Sequence, residues 1–221
     1  MVETANKNDF VEIEFVARVK DGEVFDTNIP EEAKKINLDM KPKPLIIPVG
    51  REMVLKGLDS ALIGKEIGRE YEAELQPEEA FGKRDRTLIK TIPIKIFHEK
   101  EINPLQGMML NMDNMVAKVV AVSGGRVITD FNNPMAGKIV IYKFKIKRKI
   151  TDDGEKINAL QEYLLGKRFN FKIEGKKIIF EKEAEVINFF KEKFEEILGF
   201  SIEVEKNEDK KKKEEIKEDK K

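Results

Sequence analysis

The stretch from Lys138 to Ile150, KIVIYKFKIKRKI, alternates apolar and basic residues from Tyr142 to Lys147. A period of two puts alternate side chains on opposite faces of an extended chain. The apolar positions are Ile139, Ile141 or Tyr142, Phe144 and Ile146. This is a long strand with one face on a core. It reads as the closing strand of a module begun near the N-terminus, which makes the chain between them an insertion.

That module is legible upstream. Phe10–Val19 (FVEIEFVARV) carries Phe10, Ile13, Phe15 and Val19 among charges and reads as a strand. Asp21-Gly22 turns it, and Glu23–Asp26 resumes it, a hairpin signal of the Asp-Gly type. Thr27–Pro44, with Pro30, Pro42 and Pro44, is loop or short helix. Leu45–Val49 is a short apolar strand ending at Gly50. Met53–Ile63 places Val54, Leu58 and Leu62 at helical spacing and closes at Gly64. Gly68 precedes a strand over Glu70–Leu75, and Pro77–Gly82 is a turn. The pattern predicts an antiparallel sheet wrapped on one helix, an α+β fold, over residues 1–86 and 132–151.

The insertion, 87–131, is β-rich. Thr87–Ile92 is strand-like and stops at Pro93. Met115–Val122 and Arg126–Phe131 flank the hairpin turn Ser123-Gly124-Gly125, and Asn132–Gly137 is a loop. After a linker, Thr151–Gly154, a third domain over 152–206 reads α-β-β-α-β. It comprises a helix at Ile157–Leu165, a hairpin of Arg168–Ile173 and Lys177–Lys182, a helix at Glu183–Leu198 and a strand at Phe200–Glu205. The second helix stripes Val186, Ile187, Phe190, Phe194, Ile197 and Leu198 on one face and ends at Gly199. The tail, 207–221, is a solvated run of Lys, Glu and Asp.

Composition narrows the chemistry. Lys+Arg and Asp+Glu are both 42, which gives no reason to expect nucleic acid or an acidic membrane as partner. With no cysteine and one histidine, His98, ordinary zinc or copper sites are nearly excluded. MVETANKNDF has no apolar signal region, and no apolar run approaches a membrane span. A cytoplasmic protein is expected. The charge-rich, cysteine-free composition fits a thermophile.

Three segments carry a family pattern: Asp21–Asn28 (DGEVFDTN), Pro48–Gly68 (PVGREMVLKGLDSALIGKEIG) and Glu79–Gly82 (EAFG). In this order and spacing the chain resembles the FKBP family of peptidyl-prolyl cis/trans isomerases. The insertion resembles the insert-in-flap domain of SlyD-type and archaeal members, and NNPMAG at Asn132–Gly137 resembles their return to the barrel. The third domain is similar to that of the long archaeal members. The resemblance implies proline isomerisation without cofactor or metal. It places the pocket at Phe15, Phe25, Asp26, Leu45, Val54, Leu55, Leu58, Phe81 and Tyr142. Phe25, Phe81 and Tyr142 would wall the proline ring, and Leu58 would form the floor. The Leu55 backbone N–H would hold a substrate carbonyl, and Asp26 would face the twisting amide. Phe15 and Phe81 stand where many members carry tyrosine, so two hydroxyls are missing and weaker macrolide binding is implied. Taken singly, Phe25, Val54, Leu55 and Leu58 read equally as core residues, and Asp26 as a surface partner for Lys or Arg.

The insertion holds Met108, Met109, Met112 and Met115, four of the eight methionines. Methionine suits adaptable apolar binding surfaces. With Ile94, Ile96 and Phe97 these residues could line a groove for unfolded, proline-containing polypeptides; the alternative is that they are this small domain's own core. The third domain has phenylalanines at 169, 171, 180, 189, 190, 194 and 200, more than so small a domain buries alone. That predicts a homodimer or client surface there. The rival to an isomerase is a holdase chaperone or assembly factor on the same fold.

Overall fold

The computed structural model describes residues 2–38, 43–112 and 115–205. The expected charged tail lies outside the described residues. The chain divides into two compact units, residues 1–17, 24–73 and 142–221 in the first and 18–23 and 74–141 in the second.

The first unit is built on a five-stranded sheet. Its strands are β1 (Phe10–Val19), β2 (Val24–Thr27), β3 (Leu45–Pro48), β4 (Glu70–Leu75) and, far downstream, β9 (Val140–Ile150). The order is β2-β1-β9-β4, with β3 pairing β1 as well. The β1–β3 register is antiparallel and sets Ile13 opposite Leu45 and Val11 opposite Ile47. At the turn, Asp21 takes a left-handed φ of 57°, which Asp tolerates better than most residues. In β9, Tyr142, Phe144 and Ile146 are buried while Lys143 is exposed. Val140 and Ile141 are buried as well, so both faces are covered at the start of β9 and the alternation begins at Tyr142, with Ile139 out of step with it.

Helix α1 (Pro30–Lys35) occupies the polar stretch after β2. Helix α2 runs only from Lys56 to Leu62, shorter than the spacing predicts. Met53 and Val54 remain outside it because Leu55 is extended, at φ −51° and ψ 136°. Leu58 and Leu62 are buried, as are Val11, Ile13, Ile47, Val140 and Phe144. Burying a Leu-sized side chain contributes about 1.5–3 kcal/mol.

Residues 152–205 fall in the same unit. Helix α4 (Asp153–Leu165) starts four residues before the predicted helix. Asp152 caps it, accepting from Glu155 N at 2.7 Å, so the presumed linker is an N-terminal cap. Strands β10 (Phe171–Glu174) and β11 (Lys177–Phe180) form the expected hairpin, and β12 (Ser201–Val204) pairs parallel to β11. The predicted amphipathic helix between them is split. A 3-10 helix covers Lys182–Phe190, interrupted at Ala184, and only Lys191–Leu198 is α-helical, as α5. The run Val186-Ile187-Asn188-Phe189-Phe190 has the apolar spacing of a helix but weak helix propensity throughout. Gly199 ends α5 with φ 73°.

The second unit holds a four-stranded antiparallel sheet in the order β5-β8-β7-β6. These strands are β5 (Ile89–Pro93), β6 (Met109–Met112), β7 (Met115–Ser123) and β8 (Arg126–Asp130). A short helix, α3 (Ile94–His98), follows β5. The β7–β8 turn is the predicted one, with Gly124 and Gly125 both at positive φ. Phe97, Val119 and Val127 form a small core, with Ile92, Ile94, Ile102, Leu110 and Met112 packed against it.

Candidate functional site

β1, β2 and β9 bring three rings together. The centroids of Phe15 and Tyr142 are 5.6 Å apart, and those of Phe25 and Tyr142 are 6.5 Å apart, edge to face. Local hydrogen bonds hold this corner. The Thr27 hydroxyl donates to Phe15 O at 2.6 Å. The Asn28 side chain accepts from Phe15 N at 2.8 Å and donates to Ile13 O at 2.7 Å. Asn28 thus behaves like one more residue of a partner strand after β2 ends. The sequence places Thr27 and Asn28 only in a loop and a motif; polar side chains directly after a strand are the signal for their role here.

Asp26 follows Phe25 on β2 and is half-buried. Burial pushes its carboxyl above the ordinary value, and the Thr27 backbone hydrogen bond offsets this only in part. The Tyr142 hydroxyl is pushed up too, first by burial and then by the negative charge of Asp26. Asp26 and Tyr142 therefore sense each other, and Asp26 sits in a partly desolvated setting rather than as an open surface charge.

Of the other predicted residues, Leu58 is 2% exposed and part of the helix-to-sheet core. Val54 and Leu55 are half-buried and lead into α2. First-turn N–H groups of a helix have no intrahelical acceptor, so this end of α2 has donors to offer a carbonyl. Leu45 shares a face with Ile13 and also borders an open groove of about 540 Å³ against α4. Phe81 belongs to the second unit, half-buried in the turn after the 3-10 helix Pro77–Glu79.

One residue the sequence reading missed organises the loop before α2. Asp59 is buried, and its carboxylate accepts from Gly50 N and Glu52 N, both at 2.7 Å. Gly50 and Glu52 take φ values of 75° and 52°. An acidic residue on the apolar face of a short helix was its signal.

Residues 2–96 match the family FKBP-type peptidyl-prolyl cis-trans isomerase, and residues 90–135 match the domain described as FKBP26, IF domain. The chain is 32% identical over 150 residues to the short-type peptidyl-prolyl cis-trans isomerase of Methanocaldococcus jannaschii, covering 66% of this chain and 95% of that one. This chain belongs to the FKBP-type peptidyl-prolyl cis-trans isomerases. A second FKBP-type relative, SlyD of Aeromonas hydrophila, is 28% identical over 139 residues, 62% of this chain and 60% of its own length. Among solved structures, the three FKBP domains of wheat FKBP73 align over 69% of this chain and 43% of that one at 16% identity, with a TM-score of 0.38, too loose to carry any argument.

Within this FKBP chain the predicted groove residues separate. Phe97 is 2% exposed, a core residue of the second unit, and so presents no surface to a client. Ile94 and Met112 pack partly against that core. Met108, Met109 and Met115 are exposed, as are Ile96 and His98. Among the described residues no cluster of three or more His, Cys, Asp or Glu could hold a metal ion, and no helix is long and apolar enough to cross a membrane.

Proposed function

We propose that this chain isomerises Xaa-Pro bonds at the Phe15–Phe25–Asp26–Tyr142 cluster. Rotation about the bond crosses a barrier of about 18–20 kcal/mol because the planar amide is stabilised by resonance. The twisted amide is less dipolar than the planar one. An apolar, water-poor wall therefore favours it relative to bulk water, with no nucleophile, metal or cofactor taking part. The observation that carries the reading is a cluster of three rings, one of them, Tyr142, within reach of the charge of the half-buried Asp26 carboxyl. In this reading Val54 and Leu55 complete the base of the site and Leu45 its edge, while Leu58 stays a core residue. Exchange NMR on Ala-Leu-Pro-Phe peptides tests it: Asp26→Ala and Phe25→Ala lower kcat/KM, and full turnover in both variants refutes the site.

The finer reading is a SlyD-like, long archaeal type with its insertion at 87–131 and a further domain at 152–206. Its substrates are unfolded or nascent polypeptides in the cytoplasm, with the insertion as a chaperone surface. That surface is supported by apolar residues left open on the second unit's sheet and its margins. Met109 is 50% exposed and Val116 is 58% exposed. Deleting Leu88–Phe131 would then slow catalysed refolding of a protein more than it slows turnover of a tetrapeptide. Residues 152–206 would supply a homodimer or client surface, for which Phe189, 87% exposed, is the candidate contact. The holdase alternative rests on the same open surface and predicts protection from aggregation without turnover.

A further inference from the structure

The loop from Gly50 to Leu55 joins β3 to α2 and carries the Leu55 N–H assigned to the substrate carbonyl. Asp59 grips its first half from inside, at Gly50 and Glu52. Its second half is gripped from a different part of the chain. Tyr163, on the exposed side of α4, donates its hydroxyl to the Met53 carbonyl, a contact across 110 residues of sequence. Beside it, Arg51 pairs with Glu196 on α5 at 2.5 Å and donates to Asn8 Oδ1 at 2.9 Å. A phenol keeps its proton at neutral pH, and partial burial pushes the Tyr163 hydroxyl further up.

The geometry matters because the peptide unit is planar. The Met53 carbonyl and the Val54 N–H are one rigid plate, and the next plate along carries the Leu55 N–H. Fixing the first plate limits where the second can point. We propose that Tyr163 is a positioning residue for the isomerase site, through which residues 152–205 set the orientation of the Leu55 N–H. This rests on the reading of the site given under Proposed function. The phenol reaches no substrate itself; it acts through Met53.

The test uses the full chain and Tyr163→Phe, which keeps the ring and removes the donor. Turnover of Ala-Leu-Pro-Phe is expected to fall about three- to tenfold in kcat/KM, the effect of one lost hydrogen bond. The Val54 and Leu55 amide resonances are expected to move while the sheet amides stay in place and the unfolding midpoint falls by no more than one lost hydrogen bond accounts for. Glu196→Gln, at an exposed pair, is expected to give a smaller loss in the same direction. Unchanged turnover in Tyr163→Phe overturns the proposal, wherever the amides fall. A loss of turnover that tracks a lowered midpoint, with Val54 and Leu55 unmoved, also overturns it. Failure of the site reading is seen elsewhere, as full turnover in both Asp26→Ala and Phe25→Ala.

Discussion

Asn132 and Asp85 exchange two hydrogen bonds: Asp85 N donates to Asn132 Oδ1 at 2.8 Å, and Asn132 Nδ2 donates to Asp85 O at 2.9 Å. One side-chain amide thus completes a backbone-like pair where the chain enters the four-stranded sheet and where it leaves it. The same Asn132 donates from Nδ2 to Asp130 at 2.7 Å, and Arg84 pairs with Asp130. Asn132→Ala should raise hydrogen-exchange rates of amides in β5 and β8 by about tenfold, read by NMR, with β1–β3 amides unchanged.

Acid should loosen the same neck. Burial alone would raise the Asp130 carboxyl, but hydrogen bonds from the Asn132 side chain and backbone, with the charges of Arg84 and Lys118, hold it below its ordinary value. A depressed folded pKa means stabilisation that is present above the unfolded carboxylate range and disappears as pH falls through the folded value. Asp130→Asn should destabilise the unit at neutral pH and lose that penalty toward acid, as followed by thermal unfolding from pH 7 downward.

Asp26 carries the opposite sign. Its folded pKa is raised by burial, so the folded state holds its proton more tightly than the unfolded state. Stability from this group then falls as pH rises from the unfolded carboxylate value through the folded one. Asp26→Asn should match the wild type in strong acid and exceed it in melting temperature at neutral pH. Equal melting temperatures at both ends would refute the burial argument.

Wall and core should part under mutation. Leu58 is sealed in the core, and Leu58→Ala should cost about 2–5 kcal/mol in denaturant unfolding. Phe25 is only half-buried, so Phe25→Ala should cost less stability while reducing turnover more. Asp59→Ala leaves Gly50 N and Glu52 N without their acceptor and should cost at least about 1–3 kcal/mol, with loss of turnover as the loop relaxes.

Phe189→Ser offers a further check on the C-terminal segment. With so much of the ring in solvent, the unfolding midpoint should hold within about 0.5 kcal/mol. If Phe189 serves self-association, sedimentation should shift toward a lighter species.

Much of this was readable from short-range patterns. The Ser123-Gly124-Gly125 turn and the Gly199 helix stop follow from residues that tolerate positive φ, and β9 follows from its alternation. What stayed hidden depends on partners remote in sequence or on competing propensities. Nothing near Tyr163 points to Met53. The phase of β9 is ambiguous at Ile141 and Tyr142 because both are apolar, and in the fold both are buried; Tyr142 keeps step with Phe144 and Ile146. Over 183–198 the apolar spacing marks a helix, but i, i+3 neighbours are shared by 3-10 and α turns in so short a run, and weak helix propensity leaves the first part 3-10. Asp152 looked like linker because a cap and a loop draw on the same residues.

The pairing of β1 with β9 also sets a timetable. At synthesis rates of about 5–20 residues per second, residues 10–19 wait several seconds or longer for the strand at 140–150 that lies beside them in the sheet. All four strands of the smaller sheet, 89–130, leave the ribosome within that interval. The inserted part can be complete while the body around it is still a hairpin and a helix awaiting their central strand.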